Sequence, residues 1–169
     1  MAARTVFPKV ADVDKVKGLS EWHALYQAYN AIFKVQELAL IAQGISLPQL
    51  QLLSLLAYEQ RPLAISELAT WMVKEPNSLT GLVDRAEAKG WVTTHGDPKD
   101  RRKRLVEFTP AGVKKFEEAF NLSNDVAGKL FGKLTASELN QLKNASTKLR
   151  DAAVAALAKK PAVRRWSAP

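Results

Sequence analysis

Apolar residues recur every three or four positions along most of this chain, a spacing typical of amphipathic α-helices. In the stretch that begins at Ser20 the spacing persists until Gly44, where glycine can adopt the left-handed conformation that ends a helix. Five further stretches repeat the pattern, at about 46–60, 66–72, 76–89, 109–131 and 135–158. The pattern therefore predicts six helices.

Residues with helix-capping side chains mark several of these starts. Ser46 precedes the second helix, and Thr109 followed by Pro110 opens the fifth. Thr135 and Glu138 have the spacing of a capping box, in which each residue satisfies a free N–H of the first turn. These caps set the predicted helix boundaries independently of the apolar period.

Two short segments between the fourth and fifth helices lack the helical period. Residues 91–94 and 105–108 are rich in strand-forming side chains and predict an antiparallel hairpin. The tip, 97–104, holds five basic and two acidic residues, a local charge of 5 − 2 = +3. The predicted order is α-α-α-α-β-β-α-α, a mainly α fold with a small β-hairpin wing (α+β).

A cationic hairpin placed directly after an amphipathic helix is the arrangement that a winged helix-turn-helix uses on duplex DNA. The helix enters the major groove, and the hairpin reaches the neighbouring backbone or minor groove. The polar positions of the fourth helix predicted to contact DNA are Asn77, Ser78, Thr80, Gly81 and Arg85.

The basic residues of the hairpin tip are the second set of predicted DNA contacts. Arg101 and Arg102 are the best candidates for the minor groove, where the negative potential of narrow A·T tracts favours arginine. Asp100 is expected to hold one of these guanidinium groups in a bidentate salt bridge and not to touch DNA. The remaining cations, expected to contact the backbone, are Lys99, Lys103 and Arg104.

Two of these residues have alternative interpretations. Gly81 either allows close approach to the duplex or is a glycine tolerated on an exposed helix face. Arg85 either binds a phosphate or pairs with Asp84 or Glu87 on a solvated surface.

Composition supports a polyanionic partner and excludes several chemistries. The chain of 169 residues carries a formal charge of +8 and a pI of about 9.8, as expected of a nucleic-acid binder, although anionic membranes attract basic proteins too. It has no cysteine, which excludes disulfides, thiolate metal sites and thiol redox sensing. Its two histidines are far apart in sequence, and it has neither a nucleophile elbow nor a phosphate-binding glycine loop. We therefore expect no enzyme activity, catalytic residue, metal or cofactor, no membrane partner and a cytoplasmic location.

The first and last predicted helices have apolar stripes that a small winged domain cannot cover, and a second copy of the chain is the simplest partner. The sequence thus predicts a homodimer. Its predicted parts are an N-terminal arm (1–18), dimerisation helices (19–45 and 112–158), a winged helix-turn-helix DNA-binding domain (46–111) and a basic C-terminal tail (159–169).

The helix–hairpin segment resembles the MarR family of bacterial transcription regulators. The resemblance is carried by Leu82-Val83-Asp84-Arg85, Lys89-Gly90-Trp91-Val92, Asp97-Pro98-Lys99-Asp100-Arg101-Arg102 and Phe108-Thr109-Pro110-Ala111-Gly112. It implies a homodimer joined by the terminal helices, with each winged helix on one half-site of a pseudopalindromic operator. It also implies a repressor that a small, often aromatic, ligand releases.

An effector site is the least defined part of this interpretation. In relatives it lies between the dimerisation helices and the winged helix, where aromatic residues could line it here, although such residues at helical spacing are more often core. The candidates are Trp22, His23, Tyr26, Tyr29, Phe33 and Trp71. The alternative functions are a winged-helix protein-interaction module and a non-specific architectural DNA binder without a small-molecule ligand.

Overall fold

The computed structural model describes residues 16–100 and 102–159. Its helices are α1 (Leu19–Ile41), α2 (Leu47–Glu59), α3 (Ile65–Met72), α4 (Pro76–Ala88), α5 (Pro110–Phe131) and α6 (Ala136–Lys159). Its strands are β1 (Leu63–Ala64), β2 (Val92–Gly96) and β3 (Arg104–Phe108). Arg101 and most of the predicted arm and basic tail lie outside the described residues. The mainly α fold with a small β-hairpin wing is confirmed.

The predicted helix caps form as the sequence indicates. The Ser46 hydroxyl accepts a hydrogen bond from the Gln49 N–H at 3.3 Å, and the Gln49 side chain accepts one from the Ser46 N–H at 3.1 Å. At α6, the Thr135 hydroxyl accepts from the Glu138 N–H at 3.3 Å, while the Glu138 carboxylate accepts from the Thr135 N–H at 2.7 Å. Each pair satisfies N–H groups that have no partner within the helix.

The sheet has three strands, one more than the sequence analysis predicts. Its order is β1-β3-β2, and both pairings are antiparallel. Strand β1 has only two residues, and it pairs Leu63 with Val106 and Ala64 with Leu105. A two-residue strand is too short to show the alternation that marks a strand in sequence. Since β1 directly precedes α3, its pairing with β3 connects the helix-turn-helix to the hairpin.

One hydrophobic core unites α2, α3, α4 and the sheet. Its fully buried side chains include Leu52 and Leu53 of α2, Leu68 of α3, Leu79 of α4 and Val106 of β3. The inward face of α4 therefore packs on the core, which leaves its polar face available at the surface.

The described residues divide into two compact units, and the boundary lies between Val126 and Ala127. Within the first unit, α1 buries only Leu40, and its aromatic side chains Trp22, Tyr26 and Tyr29 are more than half exposed. In the second unit, the apolar residues Leu139, Leu142, Leu149 and Val154 of α6 are exposed as well. No helix among the described residues is both long enough and apolar enough to cross a membrane.

Candidate nucleic-acid interface

Helix α4 presents its polar residues at the surface by burying the opposite face. Leu79, Leu82, Val83 and Ala86 are buried, whereas Asn77 and Ser78, near the N-terminus, are exposed. Pro76 occupies the first turn, where a missing N–H has no cost. The amide and hydroxyl groups best suited to hydrogen bonds with bases are thus at the start of the helix.

Three other predicted contacts of α4 differ in their surroundings. The Thr80 hydroxyl donates to the Pro76 carbonyl at 3.1 Å, so its proton is already engaged. A side chain at Gly81 would meet only Arg85 Nη1, at 3.4 Å, and thus nothing within the described chain requires glycine there. Arg85 is exposed and makes no ion pair within the described residues, because the two carboxylates of α4 are bound elsewhere.

The hairpin tip is organised by two aspartates. Asp97 Oδ1 accepts from the Lys99 N–H at 2.7 Å, and Asp100 Oδ1 accepts from the Arg102 N–H at 3.2 Å. Asp100 Oδ1 also accepts from Arg102 Nε at 3.3 Å. The contact expected of Asp100 with an arginine is therefore present, although one oxygen makes it instead of a bidentate pair. Short turns of this kind hold the backbone while the cations extend outward.

The four described cations of the tip fall into two groups. Lys99, Arg102 and Lys103 are exposed, and the Arg102 side chain retains 92% of its accessible surface. Arg104, at the start of β3, points instead to α4. Its Nη1 donates to Asp84 Oδ1 and its Nη2 to Glu87 Oε2, both at 2.7 Å. The hydrogen bond to Asp84 is the largest of several contacts that raise the pKa of Arg104, so this guanidinium remains charged.

Most of the predicted effector residues do not line a cavity found in the first unit. That cavity has a volume of about 670 Å³ and lies among α2, α3 and α5. Trp71 is the one member of the predicted set that lines it. On α1, Trp22 pairs with Tyr26 at a ring-centroid distance of 6.1 Å and Tyr29 with Phe33 at 5.8 Å, while His23 is exposed beside them.

Sequence reasoning missed most of the cavity wall. The residues that line it besides Trp71 are Gln51, Ser54, Leu55, Ala57, Tyr58, Met72, Phe116 and Phe120. The apolar period predicts Phe116 and Phe120, whose rings are 5.0 Å apart, only as part of a packed helical stripe. Tyr58 is 79% exposed, which its place in an apolar helix does not suggest.

Comparison with known proteins agrees with this arrangement. Residues 45–103, which span α2 to the hairpin tip, match the sequence profile of the MarR family. The resemblance of this segment to the MarR family is confirmed. Members of this family regulate transcription and are not enzymes, which agrees with the expectation of no enzyme activity.

Among curated proteins, this chain is 34% identical over 93 residues to the transcriptional activatory protein BadR of Rhodopseudomonas palustris. The match covers 52% of this chain and 51% of BadR, so the chain spans about half the length of that relative.

Solved MarR-family structures have the same fold over more of the chain. The organohalide-sensing transcriptional regulator RdhR, bound to 2,4-dichlorophenol, has a TM-score of 0.78 and 20% identity and covers 93% of this chain and 94% of its own. A mutant of MarR from E. coli complexed with operator DNA has a TM-score of 0.72 and 23% identity, covering 82% and 97%. At these identities the likeness establishes the fold of the chain.

Proposed function

We propose that this chain is a dimeric, sequence-specific DNA-binding regulator of transcription that acts in the cytoplasm and that a small aromatic ligand releases from DNA. The observation that carries the proposal is the combination, in one unit, of the exposed polar start of α4 with the exposed wing cations Lys99, Arg102 and Lys103. Exposed cations that extend from an ordered hairpin gain most from an anionic partner.

The proposed division of labour follows from the side-chain chemistry. Asn77 and Ser78 would read base edges in the major groove, since an amide can bond adenine in two places and a hydroxyl accepts several partners. Arg85 would bind a phosphate because the carboxylates nearest to it along α4 are paired with Arg104. Arg102 would enter the minor groove, and Lys99 and Lys103 would neutralise phosphates. We propose the same role for Arg101 on sequence grounds.

The test begins with selection of bound sequences from a random duplex pool, followed by titration of the best duplex at several salt concentrations. Log K should fall with log salt by about 0.9 for each phosphate neutralised. Arg102→Ala should weaken binding by about tenfold or more and make the slope shallower by about 0.9 for each phosphate that the variant no longer neutralises. The matched control is Lys143→Ala, which removes an exposed cation of α6 and should leave both quantities unchanged.

The alternatives are separate outcomes of this experiment. Equal affinity for every duplex would indicate an architectural DNA binder. No duplex binding by the wild-type protein would reject the proposal and favour a protein-interaction module. For two-fold related chains, the half-sites of the selected sequence should lie about 10 bp apart, centre to centre.

The cavity among α2, α3 and α5 supports the ligand part of the proposal. Its volume of about 670 Å³ is within the range of roughly 300–1,000 Å³ usual for small-molecule pockets. Among the described residues, the lining includes no charged side chain, and its polar groups come from Gln51, Ser54, Tyr58 and Trp71. Such a lining suits an uncharged aromatic compound better than a carboxylate, whose charge would be desolvated without a cation beside it.

Fluorescence titration tests the cavity with 2,4-dichlorophenol as the probe, the compound bound in the related RdhR structure. We expect quenching that is lost in Trp71→Phe and retained in Trp22→Phe, because Trp22 does not line the cavity. Benzoate, an anion, should bind more weakly. Equal quenching in both variants would reject this cavity as the ligand site.

A further inference from the structure

Arg104 connects the wing to α4 by a network that the predicted DNA contacts do not explain. Its guanidinium donates to Asp84 Oδ1 and to Glu87 Oε2, each at 2.7 Å. The other oxygen of Glu87 accepts from the Thr94 hydroxyl on β2, also at 2.7 Å. We call these four residues, from α4, β2 and β3, the helix–wing network.

The network has two physical consequences for a surface that meets a polyanion. The α4 sequence contains only two acidic residues, Asp84 and Glu87, and both are bound by the same guanidinium. Their repulsion of phosphate is thereby reduced. The planar fork of arginine also directs one nitrogen to each carboxylate and thereby fixes the start of β3 against one turn of α4. An ammonium group on a flexible stem has no such fixed geometry.

We propose that Arg104 is a positioning residue and not a DNA contact: it locks the wing to the recognition helix and offsets the two acidic side chains of α4. This inference rests on the proposed function and reassigns one of the predicted DNA contacts. Of the exposed cations beside it in the hairpin, Lys99 and Lys103 would bind phosphates and Arg102 would enter the minor groove.

The first measurement is hydrogen exchange of the free protein, which needs no DNA. In Arg104→Met and Arg104→Lys, the amides of residues 92–108 should exchange at least about fivefold faster than in the wild type, because neither variant has the fork. Lys99→Ala is the matched control, since it removes an exposed wing cation outside the network. Its wing amides should exchange at the wild-type rate. Wing amides that exchange at the wild-type rate in Arg104→Met would show that Arg104 does not hold the wing against α4.

The second measurement is affinity for the selected duplex as a function of salt. Lys99→Ala should make the log–log slope shallower by about 0.9 for each phosphate that Lys99 neutralises in the wild type. Arg104→Met should weaken binding by about tenfold, but it should change the slope by less than half as much as Lys99→Ala does. Arg104→Lys should not restore wild-type affinity. Wild-type behaviour of Arg104→Lys in both measurements, or a slope change in Arg104→Met equal to that of Lys99→Ala, would make Arg104 a phosphate ligand instead.

The two measurements distinguish this inference from the proposed function. If the wild-type protein binds no duplex, the proposed function fails. The exchange comparison still decides whether Arg104 locks the wing.

Discussion

Gly112 has no room for a side chain, and its contacts explain why. A Cβ at this position would overlap the carbonyl oxygen of Trp91. The same oxygen accepts a hydrogen bond from the Thr109 N–H at 3.1 Å, and the Thr109 hydroxyl accepts from the Gly112 N–H at 3.0 Å. The first turn of α5 is therefore packed directly on the backbone where the hairpin begins.

Gly112→Ala should destabilise the protein by about 2 kcal/mol, the usual cost of overpacking a site that must shift backbone to relax. Thermal unfolding followed by circular dichroism should give a melting temperature lower by about 4–8 °C. Gly128→Ala is the matched control on the same helix, because a Cβ there meets nothing within 4 Å. It should raise stability by up to about 1 kcal/mol through helix propensity. A melting temperature in Gly112→Ala equal to the wild type would contradict the close contact.

Val73, in the turn between α3 and α4, has φ of 50° and ψ of 50°, the left-handed conformation. A β-branched side chain is strained there, at a cost of roughly 1–3 kcal/mol. Val73 is also 64% exposed, so its side chain contributes little packing. We expect Val73→Gly to stabilise the protein by about 1 kcal/mol after the larger entropy of the unfolded glycine is subtracted. Urea unfolding measures this change, and a lower midpoint in the variant would show that the valine is not strained.

At the scale of single elements, α3 begins with an ion pair in place of a hydroxyl cap. Glu67 accepts from the Ala64 N–H at 2.8 Å and from Arg61 Nη2 at 2.9 Å. The hydrogen bond from Arg61 is the main cause, and the one from Ala64 the second, of a Glu67 pKa below its ordinary value of 4.5. A carboxyl group whose pKa is lower in the folded protein than in the unfolded chain stabilises the fold. This stabilisation is complete at a pH above the pKa of the unfolded chain, and it is lost as the pH falls through the pKa of the folded protein.

Glu67→Gln should therefore lower the free energy of unfolding at pH 7 by about 1 kcal/mol, since solvent screens a carboxylate that is 40% exposed. The difference from wild type should disappear as the pH falls well below 4.5. Denaturant unfolding at a series of pH values measures it. Glu117→Gln, at an exposed residue of α5 without an ion pair within the described residues, is the control. A difference that persists unchanged in acid would exclude the carboxylate charge as its source.

The elements also show how far sequence reasoning reaches. Helices and their caps are predictable because Ser46 with Gln49, and Thr135 with Glu138, act over three residues. Strand β1 is not, because Leu63 and Ala64 form a strand only through pairing with β3, about 40 residues away. The place of Arg104 in a basic run predicts a DNA contact. Its ion pairs are not predictable from that run, because its partners Asp84 and Glu87 lie 20 and 17 residues earlier. The cavity wall likewise joins three helices, and the sequence predicts only Trp71 in it.

At the scale of the whole molecule, the exposed apolar side chains of the terminal helices are candidates for contact with a second copy of the chain. On α1, Trp22, Tyr26 and Tyr29 are each more than half exposed, and on α6 Leu149 is 58% exposed. Each helix thus has exposed apolar surface of its own. Such surface is typical of an interface between copies of a chain. We therefore expect light scattering at micromolar concentration to report twice the chain mass of 18.6 kDa.

A charge placed within the apolar stripe of α6 tests whether that stripe forms the interface. Leu149→Glu should shift the mass toward 18.6 kDa, because an unpaired carboxylate is costly to bury between apolar surfaces. Lys148→Glu, a change at the adjacent exposed residue, should leave the dimer intact. The dissociated variant should also lose far more affinity for a duplex with two half-sites than for a duplex with one. In a dimer the binding of the second half-site is intramolecular, and this advantage disappears when the chains separate. A wild-type mass of one chain, or a Leu149→Glu protein that remains dimeric, would mean that α6 does not join the two copies.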